Sequence, residues 1–190
     1  MTNNFDYAFE ETLGLEGGYS DDPDDKGGAT NYGITQATLE DALKRFVISG
    51  ITHVSQLTLV LAKAIYKTDY WNRIRLNQIY NIYIAAEIFD TAVNMGRKAA
   101  ITIAQKALNY LGENLIEDGI IGPRTIKALN RWAKKDERAL LVMLNGFQFK
   151  RYIEIVKNKA SQQKFVRGWT KRISLYQKRE VSNGNLISEH

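Results

Sequence analysis

The sequence contains no cysteine. That removes disulfides, thiolate zinc sites and cysteine nucleophiles together. Histidine is almost as scarce, limited to His53 and the terminal His190. A serine triad would have to rest on His53, which no motif surrounds. A metal site built on two or three histidines is equally hard to assemble. No metal and no cofactor is expected, so acid–base chemistry falls to carboxylates, tyrosines and lysines. No apolar run reaches the length of a membrane span. The start, Met1 to Asp6, lacks a basic stretch followed by an apolar one, so no signal peptide is expected. Action beyond the cytoplasm would then need another route, such as a holin-type pore or a dedicated export system.

What is present describes an ordinary globular protein. Its 190 residues are 44% apolar and 25% charged, enough for one domain with a substantial core. The net charge of +5 is unevenly spread. Residues 1–123 carry 10 lysines and arginines against 16 acidic residues, net −6; residues 124–190 carry 16 against 5, net +11. The basic third suits a polyanion such as cell-wall polymer, nucleic acid or lipid headgroups, or else a set of solvated helix faces.

Apolar spacing predicts a mainly α protein. Phe5, Ala8, Phe9, Thr12 and Leu13 recur at helical intervals, giving a helix over 5–15 stopped by Gly17-Gly18. Residues 17–34 are expected to be irregular or to hold a small β-hairpin. Thr35 caps a helix to about Val47 and Thr58 another to about Tyr70. Helices follow over Ile82–Met95, closed by Gly96, and Lys98–Leu111, closed by Gly112. Asp118-Gly119 marks a turn, and Pro123 opens a helix to about Lys134. Asp136 caps a further long helix, and a last one carries Phe165, Trp169, Ile173 and Tyr176. A polar tail ends the chain.

The loop is where chemistry concentrates. Five of the 14 glycines fall between positions 17 and 33, interleaved with Asp21, Asp22, Asp24 and Asp25. The acidic run fails as a calcium loop, because Lys26 and Gly33 fall where oxygen ligands belong. It also lacks a phosphate-loop pattern. Glu16, placed at the end of the first helix, has two sources of a raised pKa: the negative helix terminus and apolar neighbours Leu13, Leu15 and Tyr19. A protonated carboxyl facing a second carboxylate across a cleft is the apparatus of glycosidic bond cleavage. A plain surface glutamate is the alternative.

Glu16-Gly17-Gly18-Tyr19, Asp22-Pro23-Asp24-Asp25, Gly27-Gly28-Ala29-Thr30 and Gly33-Ile34-Thr35 together resemble the signature of glycoside hydrolase family 108, N-acetylmuramidases of lysozyme-like fold. Tyr66 through Tyr70-Trp71, Phe89-Asp90 through Asn94-Met95-Gly96, and Gly168-Trp169 with Arg172 resemble later elements of the same family. The resemblance implies a lysozyme-like catalytic region over 1–96 and a helical predicted peptidoglycan-binding region over 97–181 packed into the same unit. A tail over 182–190 follows. It implies that Glu16 is the catalytic acid. By analogy with the wider fold, Asp25 is the second carboxylate and Thr30 positions water. Tyr19, Tyr32, Tyr70, Trp71 and Asn94 become candidates for the sugar cleft, since rings stack on sugars and amides bond acetamido groups.

The implied activity is cleavage of the β-1,4 bond after N-acetylmuramic acid, in periplasm or outside the cell, as a monomer, with a phage origin open. A lytic transglycosylase and a non-catalytic peptidoglycan-binding protein are the rivals. A nucleic-acid binder is disfavoured by the acidic first two-thirds.

Overall fold

The computed structural model describes residues 4–14, 18–20, 29–45 and 47–173. Seven α-helices and one two-stranded hairpin order these residues as α1 (Asn4–Leu13), β1 (Thr30–Asn31), β2 (Ile34–Thr35), α2 (Gln36–Lys44), α3 (Leu59–Tyr66), α4 (Ile82–Met95), α5 (Arg97–Tyr110), α6 (Pro123–Asn158) and α7 (Val166–Thr170).

α4 is the axis of the molecule. Asn81 caps its start by accepting from the Tyr83 and Ile84 amides, and Gly96 ends it at φ 88°. Its residues from Ile84 to Phe89 are all buried, as befits a helix that is apolar nearly all round. α1, α5 and α6 pack around it. One continuous core therefore runs from Phe5 to Leu144, across the junction between the expected catalytic and wall-binding regions. Phe5, Trp71 and Phe89 meet edge-on at its centre, with ring centroids 5.6 to 5.9 Å apart.

α1 stops earlier than its apolar spacing suggests. Gly14 adopts φ 61° and returns its amide to the Glu10 carbonyl at 2.9 Å, closing the helix at Leu13. A left-handed glycine just past the last turn is the usual helix stop, so Gly17-Gly18 is not needed for it. Thr35 caps α2 and Thr58 caps α3, as expected from sequence. α3 gives way to a π-helical turn over Lys67–Asn72. Asp136 leaves helical geometry inside α6 (φ −160°, ψ 85°) and accepts from the Ala139 amide at 2.9 Å. It is the break and cap that its sequence context predicts.

The hairpin turns through Tyr32 (φ 51°) and Gly33 (φ 72°), both left-handed, as a two-residue type I′ turn requires. A tyrosine there is uncommon. Its carbonyl is held by the Tyr66 hydroxyl at 3.0 Å. Asn31, buried, donates to the Val54 and Leu57 carbonyls and so ties the hairpin to the 3-10 turn Val54–Gln56. A Cβ on Gly33 would stand 2.9 Å from the Tyr66 hydroxyl. Gly33→Ala is expected to cost about 1–2 kcal/mol, or roughly 2–8 °C in Tm, from backbone strain and the displaced Tyr66 bond. Thermal melting checks this.

Candidate active site

A groove of about 210 Å³ opens where α1 ends. Leu13 and Gly14 line one wall, the Tyr32–Gly33 turn another, and Leu59 and Arg172 complete it. Glu16 follows Gly14 by two residues, but Glu16 and Asp25 lie outside the described residues. The chain re-enters at Gly18. Ser20 then pairs with Thr30 through two reciprocal backbone bonds of 2.8 Å. The acidic stretch 21–28 is thus spanned by a β-bridge whose far partner, Thr30, continues into the hairpin opposite Thr35.

The remaining sequence candidates fall in different settings. Tyr32 lines the groove. Tyr19 is 47% exposed, its ring 6.4 Å from that of His53. Tyr70 is partly buried, 5.5 Å from the buried Tyr66 ring. Asn94 is exposed at the end of α4, its amide nitrogen bonded to the Asp90 carbonyl and carboxylate at 2.8 and 3.1 Å. Trp71 is only 3% exposed and packs edge-on against Phe5 and Phe89. Its ring faces are taken up by the core, and it backs the π-turn that carries Tyr70. That turn is fixed from outside by Arg45, which grips the Asp69 carboxylate with two bonds of 2.7 Å.

Behind the groove lies a polar network. Arg172, just after α7, donates through Nη1 to the Thr12 carbonyl at 3.3 Å and to Asp90 Oδ1 at 2.7 Å. Gln148 of α6, fully buried, donates to Asp90 Oδ2 at 3.0 Å. Burial raises the Asp90 pKa, and Arg172 opposes the shift. One turn earlier on α4, Glu87 is buried and its carboxyl is pushed up to about 8, chiefly by desolvation and then by Asp90. Glu87 Oε1 and the Oδ1 of neighbouring Asn145 find no partner among the described residues. Asn145 opposes the shift, but burial prevails and favours the neutral carboxyl at pH 7.

The sequence puts both Arg172 and Asp90 in family motifs but gives neither a partner. Nothing local to residue 172 points to Thr12, 160 positions away.

The segment beyond α5 has its own surface chemistry. Glu113 is held below the usual carboxylate range by Arg131 and also accepts from the Trp132 indole at 2.8 Å. Lys135 lies over the Trp132 ring at 4.2 Å. Among the described residues no helix is long and apolar enough to cross a membrane.

A family model described as Glycosyl hydrolase 108 matches residues 9–96, and one described as Predicted Peptidoglycan domain matches residues 99–174. Among solved structures, SagA of Brucella abortus is 30% identical over 89% of this chain and 88% of that one, with a TM-score of 0.69. No curated protein matches.

Proposed function

The chain belongs to the glycosyl hydrolase 108 family, and from that premise we propose that it is an N-acetylmuramidase. It is a glycoside hydrolase acting on peptidoglycan. The finer reading is that it cuts the β-1,4 bond between N-acetylmuramic acid and N-acetylglucosamine. The observation that carries this is the groove at the C-terminal end of α1, rimmed by Tyr32 and Arg172, at the point where the chain runs on to Glu16.

Glu16 gives its proton to the bridging oxygen as the bond to the anomeric carbon breaks. The departing sugar leaves as an alcohol. Asp25 offsets the developing positive charge and accepts a proton from the attacking water, which the Thr30 hydroxyl helps to hold. The new carbon–oxygen bond completes hydrolysis. In this reading Tyr32 and Tyr19 offer ring faces to the sugars, and the Asn94 Oδ1 accepts from an acetamido N–H. Trp71 contributes from behind, by fixing the π-turn beneath Tyr70.

Action at the cell wall, in periplasm or outside the cell, follows from this substrate. The basic residues of 124–190 complement anionic wall polymers.

Mass analysis of muropeptides released from purified sacculi tests the reading. Reducing N-acetylmuramic ends are expected. Products lighter by one water, with a 1,6-anhydro ring, would reassign the enzyme as a lytic transglycosylase. Wall binding without any released fragment would leave a binding protein.

A further inference from the structure

We infer that the C-terminal segment takes part in catalysis as well as in wall binding, through Arg172 acting as a positioning residue for the catalytic end of α1. This rests on the hydrolase reading above.

A helix leaves its last four carbonyls without intrahelical partners. In α1 the Glu10 carbonyl is taken by the Gly14 amide, whereas the Thr12 carbonyl is taken by Arg172. A cation at this end also complements the helix dipole. The same Nη1 is anchored to Asp90, itself held by Gln148 and Asn94. The last turn of α1 is thereby fastened to α4, α6 and the segment after α7 at one point. Tyr152 of α6 stacks on Trp169 of α7 at 4.9 Å and 12°, which sets where Arg172 emerges. Glu16 stands four residues after Thr12 in the chain, so the turn that Arg172 holds is the one from which the chain runs on to the acid. Arg172 also lines the groove itself. Proton transfer demands placement within hydrogen-bond reach of the glycosidic oxygen, and a displacement of an ångström is expensive in rate.

The residues that meet here come from both matched segments: Thr12, Asp90 and Asn94 from the first, Gln148 and Arg172 from the second. The wall-binding segment thus completes the hydrolase.

The test compares full-length wild type with Arg172→Gln and Arg172→Lys. Glutamine is expected to lower kcat about tenfold to a hundredfold, with any rise in KM smaller than that fall and co-sedimentation with sacculi retained. Lysine, whose ammonium keeps the charge and three donors on a shorter side chain, is expected to recover part of kcat. Hydrogen exchange at the Leu13 and Gly14 amides is expected to quicken in both variants while the α5 amides stay protected. A loss confined to KM and wall sedimentation, or a kcat unchanged with glutamine, overturns the inference. If glutamine prevents folding, the lysine variant decides by the same kcat and exchange criteria. Wild type inert on walls refutes the hydrolase reading and with it the catalytic role. Unchanged exchange refutes the tether by itself.

Discussion

Glu16→Gln is expected to leave a folded protein that no longer clears purified cell walls. The amide has the size of the acid but no proton to give to a departing alkoxide. General acid assistance is worth typically 10²–10⁴-fold, so turbidity loss is expected to slow by at least about that range. Melting should be unchanged or slightly raised. The substitution removes a carboxyl close in sequence to a helix C-terminus, where negative charge is unfavourable. This separates it from a core lesion, which lowers activity and Tm together. Wild-type clearing by the glutamine protein would refute the role of Glu16. Asp25→Asn, made in parallel, should slow the reaction while leaving wall binding intact, because the bond can still be protonated but water is no longer activated.

Glu87→Gln has the second-largest expected effect, on stability. The Glu87 carboxyl titrates near 8 in the fold against an ordinary 4.5. Between those values the folded protein holds a proton that the unfolded chain has released. Stability therefore falls as pH rises through that window and levels off above it. Each pKa unit corresponds to about 1.4 kcal/mol, so the loss by pH 8 is on the order of a few kcal/mol. Glutamine resembles the neutral acid and carries no charge to desolvate. The variant should match wild type near pH 4.5 and melt roughly 5–10 °C higher at pH 8. Asp90, one turn along α4 and also raised by burial, contributes with the same sign in both proteins. Parallel melting curves for the two proteins across pH 5–8 would show that Glu87 is not the titrating group.

The parts of this architecture that were legible in the sequence are those set by near neighbours. Ile82 to Met95 is a helix whose stop at Gly96 is written locally, and its limits agree with the apolar spacing. Pro123 and Asp136 mark a start and a break that the structure reproduces. Errors came where short-range signals competed. Gly14 precedes the more conspicuous Gly17-Gly18 and ends α1 first. The helix expected to reach Tyr70 turns π-helical at Lys67, a change for which residue spacing carries no marker. Trp71 illustrates the limit for the site. Its place beside Tyr70 in a family motif suggested a sugar contact, yet successive residues on a helical turn point in different directions, and Trp71 points inward. The network of Asp90, Gln148 and Arg172 was invisible for a different reason. It joins residues 58 and 82 positions apart, and single-sequence periodicity reports nothing at that range.

Because α4 is enclosed by α1 on one flank and by α5 and α6 on the others, the two matched segments are not interchangeable cassettes. A chimera joined at Gly96 would have to rebuild a flank for α4, not merely supply a new anchor. Varying the outward-facing residues of α6 would change the surface while leaving that flank intact, whereas exchanging everything beyond the junction would not.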